Sequence, residues 1–201
     1  MTGATLYIIR HGETAWSLTG QHTGVTDLPL TPHGEAQARG LASPLRDIEF
    51  SLVLTSPLLR ARQTCELAGL GAAAMVEPDL GEWNYGTYEG RRSVDIRREF
   101  PDWSIYQDGC PGGETPDAVA ARADRLIERL ARSDKCIALF SHGQFACSLA
   151  ARWIGLAIGQ AEHLAIDTAS IGMLSHSRSR PEIRVIAMWN ASPEHRFDLG
   201  K

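Results

Sequence analysis

Apolar residues recur along this chain in two rhythms. Leu6 to Ile9, Leu52 to Leu54 and Ile137 to Phe140 are short, unbroken apolar runs without helical period. Such runs predict strands buried on both faces. Each is followed by a stretch that reads as a helix. Ser56-Pro57 supplies a serine cap and a first-turn proline for a helix reaching about Leu67. Ser-His-Gly at 141–143 precedes a helix from about Gln144 to Ile154, and two more helices open at Thr31-Pro32 and Thr115-Pro116. The last carries Val119, Ala123, Leu126, Ile127 and Leu130 on one face. Residues 171–175 and 183–189 read as a late strand pair. The stretch 79–114, rich in Gly, Pro, Trp and Tyr, reads as a loop-rich insertion with one short helix near 92–99.

Strands alternating with helices predict an α/β fold with three layers, helices covering both faces of a mixed, mainly parallel sheet. At 201 residues and 43% hydrophobic content, the expectation is a single domain over 1–201. The formal charge of −4 argues against broad attraction to nucleic acid or an anionic membrane, so any bound anion must meet a local basic site. No apolar run approaches the ~20 residues of a membrane helix, and the first ten residues lack the marks of a signal peptide. Cys65, Cys110, Cys136 and Cys147 form no C-x-x-C pair and read as reduced, mostly buried residues. A cytoplasmic protein is expected.

Two histidine-glycine pairs stand immediately after predicted strands, as Arg10-His11-Gly12 and Ser141-His142-Gly143. In open α/β sheets ligands bind beyond the carboxyl ends of the strands, so both histidines are expected at one crevice. Each glycine is expected to offer an N–H to an anion there. Arg60, early in the helix after the second strand, points to the same end. Arg62 lies two residues on, cannot share its face and reads as a surface charge. Two arginines and two histidines suit a phosphoryl group. A neutral imidazole can attack phosphorus, while Arg10 and Arg60 spread the charge of the transition state. A carboxylic acid must protonate the departing alcohol, and Glu82 in Gly81-Glu82-Trp83-Asn84-Tyr85-Gly86 is the candidate. No H-E-x-x-H and no carboxylate pair at ligand spacing appears, so neither a metal nor another cofactor is expected.

R-H-G-E-T-A-W-S at 10–17, S-P-L-L-R-A-R-Q-T at 56–64, G-E-W-N-Y-G at 81–86 and S-H-G at 141–143 together resemble the histidine phosphatase superfamily, also called phosphoglycerate mutase-like. The resemblance implies that His11 is the phosphohistidine, that Arg10, Arg60 and His142 hold the phosphate, and that Glu82 donates the proton. The stretches 16–31 and 82–90, with D-G-C-P-G-G-E-T at 108–115, resemble the sedoheptulose-1,7-bisphosphatase branch. By that similarity Ser17, Gln21, His22, Thr23, Gly24 and Tyr85 line the substrate side, and Gly143 joins them. The chain departs from the branch at His22, Gln144 and Cys147, where the branch carries tyrosine, histidine and arginine.

The resulting expectation is a metal-independent phosphomonoesterase acting on a small phosphorylated metabolite, a sugar phosphate or bisphosphate. A phosphoglycerate mutase is the first alternative. Only about 60 residues separate Glu82 from His142, a short insertion for a mutase, although Arg91 and Arg92 follow the acid closely enough to grip a substrate carboxylate. A non-catalytic phosphate-binding protein is the alternative from another class, and the presence of both nucleophile and acid argues against it.

Overall fold

The computed structural model describes residues 3–131 and 134–193. His195, expected in a tail, lies outside the described residues. Six strands form one sheet: β1 (Thr5–Arg10), β2 (Leu52–Thr55), β3 (Ala74–Val76), β4 (Cys136–Ser141), β5 (Ile171–His176) and β6 (Arg184–Ala191), in the order β3-β2-β4-β1-β5-β6. The pairs β3/β2, β2/β4 and β4/β1 are parallel, while β5 and β6 add on antiparallel. The sheet is mixed and mainly parallel.

Alternation along the strands explains both cores. Leu6 and Ile8 of β1 and Ile137 and Leu139 of β4 join one apolar cluster, while Tyr7, Ile9, Ala138 and Phe140 join the other. The first cluster is covered by α7 (Pro116–Leu130) and α8 (Gly143–Trp153). Leu41, Leu45, Cys65 and Ala68 cover the second, from the region of α2 (Pro32–Gly40), α3 (Ala42–Leu45) and α4 (Leu59–Leu67). A strand buried on both faces has no polar face to show, hence its unbroken apolar run.

The Thr-Pro signals act as read. Thr31 Oγ1 accepts from the Gly34 amide (3.0 Å) and Thr115 Oγ1 from the Ala118 amide (3.2 Å). Ser56-Pro57 does not cap α4. That helix begins at Leu59 without a side-chain cap, and the Ser56 hydroxyl accepts from the Leu58 amide (3.3 Å) and from His142 (2.8 Å). The insertion contains α5 (Ser93–Glu99), α6 (Ile105–Asp108) and two short 3-10 turns, at Pro78–Leu80 and Gly86–Tyr88. A short α1 (Ala15–Thr19) follows β1. Among the described residues, no helix is long and apolar enough to cross a membrane.

Candidate active site

Strands β1 and β4 are adjacent and parallel with Arg10 in register with Ser141, so the chain leaves both at one level. His11 and His142 come next in each. Their ring centroids lie 5.2 Å apart, and the His11 amide donates to the Ser141 carbonyl (3.0 Å). A Cβ on Gly12 would meet the Gly34 carbonyl oxygen at 2.4 Å, so only glycine lets α2 pack this close behind the histidine. The Gly12 amide donates to Thr64 Oγ1 (3.0 Å), not to the cleft, so the expected anion-binding N–H there is already satisfied.

His11 Nδ1–H donates to the Gly12 carbonyl (2.7 Å), because a carbonyl can only accept. The neutral ring therefore keeps its lone pair on Nε2. Burial, then the charges of Arg60 and Arg10, hold this histidine well below the usual imidazole range. Arg10 Nη1–H donates to the Ile166 carbonyl (2.6 Å), while its Nε is buried without a hydrogen-bond partner among the described residues. Such a donor calls for an acceptor.

Arg60 is fully buried and held at nearly every edge. Its Nε–H donates to His142 Nδ1 (3.1 Å), Nη1–H to the Thr26 carbonyl (3.0 Å), and Nη2–H to the Thr23 and Gly24 carbonyls (both 2.9 Å). His142 Nδ1 thus accepts, which makes Nε2–H the donor to Ser56 Oγ (2.8 Å). Burial, then Arg60, depress His142 as well. Arg10, His11, Ser17, Gln21, His22, Thr23, Glu82, Tyr85 and Gly143 all line one cleft of about 360 Å³. Arg60 and His142 do not line it. Both are fully buried, with the His142 ring beside that of His11.

Glu82 stands at the amino end of α8. Its Oε2 accepts from the Gln144 amide (3.0 Å), and Oε1 accepts from the Phe145 and Trp83 amides (both 2.9 Å). Those bonds and Arg60 favour the carboxylate, yet burial outweighs them and pushes the carboxyl above its ordinary range. Its loop is tied to α7 through Arg122, which donates to the Gly81 carbonyl (2.6 Å) and pairs with Glu114 (3.0 Å).

Several predicted substrate-side residues are occupied by the fold. Ser17 Oγ accepts from the Thr14 amide (2.8 Å) as half of a capping box on α1. Gln21 Nε2–H donates to the Gly90 carbonyl (2.8 Å). Gly24 lies outside the cleft: its amide donates to Glu89 Oε1 (2.8 Å) and its carbonyl holds Arg60. His22 stacks on Tyr85 at 4.4 Å and shares a hydrogen with Ser93 Oγ (3.1 Å); burial, with help from Arg97, lowers it to about 4. Trp83 and Trp103 belong to the core. Cys147 lines the cleft as a thiol pushed up to about 12 by burial, so it is inert, and Gln144 accepts from the Tyr106 hydroxyl.

The sequence reading missed Ser56 and Thr64, which hold His142 and Gly12, and the Leu164–Ile166 wall of the cleft. Ser56 was visible only as a helix cap. The wall has no motif, because Arg10 uses the Ile166 backbone rather than a side chain. Among the described residues, no group of three or more His, Cys, Asp or Glu side chains is placed to hold a metal ion.

The model of the histidine phosphatase superfamily, branch 1, matches residues 6–188. An acid phosphatase of Mycobacterium tuberculosis is 36% identical over 91% of this chain and 92% of its own length. A sedoheptulose 1,7-bisphosphatase of Saccharomyces cerevisiae is 38% identical, over 75% of this chain and 68% of its own. The solved structure of an open reading frame product of Mycobacterium tuberculosis, 35% identical, superimposes with a TM-score of 0.89 over 95% of this chain and 99% of that one. With the family model spanning nearly all of the sheet and both histidine-bearing strands, this chain belongs to branch 1 of the histidine phosphatase superfamily.

Proposed function

We propose that this phosphatase hydrolyses a small sugar phosphate or bisphosphate, without a metal, through a phosphohistidine on His11. The observation that carries the reading is the pairing of opposite protonation tendencies in one cleft: a histidine kept neutral with its lone pair on Nε2, and a carboxyl whose protonated form is favoured by burial. Nε2 attacks phosphorus in line. The P–O bond to the alcohol breaks as Glu82 delivers its proton to the departing oxygen. Water then attacks the phosphohistidine, Glu82 takes back a proton, and inorganic phosphate leaves. Arg10, with its unpartnered buried N–H, takes a phosphoryl oxygen. Arg60 acts from its buried position through its charge, with His142 bound to it. Ser17, Gln21, His22, Thr23, Tyr85 and Gly143 shape the substrate side.

The similarity to an acid phosphatase and a sedoheptulose 1,7-bisphosphatase supports a sugar ester as substrate. Hydrolysis is favoured over isomerisation because Arg91 and Arg92 are taken. Arg91 pairs with Glu99 over the Tyr88 ring, Arg92 pairs with Asp95 (2.6 Å), and neither lines the cleft. The single-domain organisation and a cytoplasmic setting, which suits four free cysteines, belong to the same proposal.

Phosphate release from a ketose bisphosphate should be measured beside interconversion of 3- and 2-phosphoglycerate, with and without 2,3-bisphosphoglycerate. The expected result is fast release that survives exhaustive EDTA and is inhibited by vanadate. Fast isomerisation with negligible release, abolished by replacing Arg91 and Arg92, would assign a mutase. Loss in EDTA restored by Mg²⁺ would contradict the metal-free site.

A further inference from the structure

A second recess adjoins the cleft. His22, Ser93, Gln144 and Leu164 line both the cleft and this recess of about 440 Å³, so the two spaces meet across a shared wall. Besides His22, the charged or titratable groups lining that recess are Arg97 from α5, Tyr106 from α6, and Glu162 and His163 from the 3-10 turn Ile158–His163. Arg97 differs from its neighbours. Arg91, Arg92 and Arg98 are each ion-paired, with Glu99, Asp95 and Asp95. Arg97 has no carboxylate partner among the described residues. Its Nε–H donates to the Trp103 carbonyl (3.0 Å), which fixes the planar group at the recess and leaves its terminal nitrogens for a ligand. Glu162 turns toward its own turn and toward α6, taking the Ser104 hydroxyl (3.3 Å) and lying 4.0 Å from His163.

An oriented guanidinium without a carboxylate, lining a recess that shares four residues with a phosphate-handling cleft, is built for an anion. A phosphate suits it, because Ser93 and Gln144 on the shared wall offer further hydrogen-bonding groups to a three-oxygen group. We propose that the recess receives the end of the substrate remote from the transferred phosphoryl group, and that this end carries a second phosphate held by Arg97. The inference rests on the phosphatase reading and narrows it to extended bisphosphates.

Steady-state phosphate release from fructose 1,6-bisphosphate and fructose 1-phosphate tests it on the intact chain. The wild type should prefer the bisphosphate in kcat/KM by about tenfold or more, the worth of one charge-assisted hydrogen bond. Arg97→Gln should erase that preference through KM, costing the bisphosphate about tenfold more than the monophosphate, and Arg97→Lys should recover part of it. Glu162→Gln, which removes the opposing charge, should lower KM for the bisphosphate. A merely structural role for the link to Trp103 would slow both substrates alike, and that result, or a wild type indifferent to the second phosphate, overturns the assignment while leaving the phosphatase intact. No release from either ester would break both.

Discussion

His22 carries a cost that pH exposes. In the unfolded chain it takes a proton near 6.5, whereas in the fold, stacked on Tyr85, it does so only at about 4. A depressed folded value contributes stability that is present above 6.5 and lost as the pH falls toward 4. Between pH 6.5 and 5 the loss from this one ring should be about 2 kcal/mol. His22→Phe, which keeps a ring against Tyr85, should flatten the fall in urea-unfolding free energy over that interval by about that amount. An unchanged slope would mean that His22 does not unload its proton on folding. Glu82 has the opposite sign. Its raised value extends the protonated form upward in pH, so turnover should decline as the pH rises through it. Glu82→Gln should lose about a hundredfold or more in kcat on an alkyl phosphate. The loss should be far smaller on p-nitrophenyl phosphate, whose leaving group departs without a proton. Equal losses on both esters would remove Glu82 from the role of proton donor.

At the scale of elements, the site depends on the loop at 23–26 and the carboxylate that holds it. Glu89 Oε1 accepts from the amides of Gly24 (2.8 Å) and Thr26 (3.0 Å), and the carbonyls of Thr23, Gly24 and Thr26 in turn hold Arg60. Glu89→Ala should therefore slow turnover by about tenfold or more, since a displacement near 1 Å at a catalytic group is that costly. Glu89→Gln, which keeps one acceptor, should restore much of it; equal defects would separate the loop from Arg60. On the opposite side Arg122→Met would strand Glu114 and release the Gly81 carbonyl. Because the pair is only partly buried, the cost should be about 2 kcal/mol in thermal or urea unfolding rather than the full penalty of a sealed pair.

These elements also explain what the sequence reading could reach. Strands buried on both faces write themselves as apolar runs, and Thr31-Pro32 and Thr115-Pro116 announce helices through local hydrogen bonds. Strand β3 was invisible because three residues, two of them exposed, carry no pattern. Ser56 misled for a physical reason: a serine hydroxyl can cap a helix or accept from a histidine 86 residues away, and only the fold brings that histidine near. His11, Arg10, Glu82 and their shared cleft were legible from motif order. The burial of Arg60 and His142 was not, since Arg60 is held by three backbone carbonyls and His142 by Arg60 and Ser56.

For the molecule as a whole, the register of β1 against β4 is the device that makes the site. Arg10 opposite Ser141 puts both histidines one residue beyond a shared strand end, and the parallel sheet needs helices on both faces to hold that register. Leu139, fully buried in β4 between β1 and β2, anchors it. Leu139→Ala should destabilise the fold by about 2–5 kcal/mol, with activity falling in proportion to the folded fraction. A large activity loss at full stability would instead indicate that strand packing tunes the site directly.

The central claim is that His11 carries the phosphoryl group between the ester and water. Its most direct test is rapid acid-free quenching of the enzyme during turnover of ³²P-labelled sugar bisphosphate, followed by peptide mapping under alkaline conditions. An acid-labile, base-stable phosphoryl group is expected on the peptide bearing His11, appearing and decaying at rates compatible with turnover and absent from His11→Ala. Label on a serine, cysteine or carboxylate, or undiminished phosphate release by His11→Ala, would contradict it.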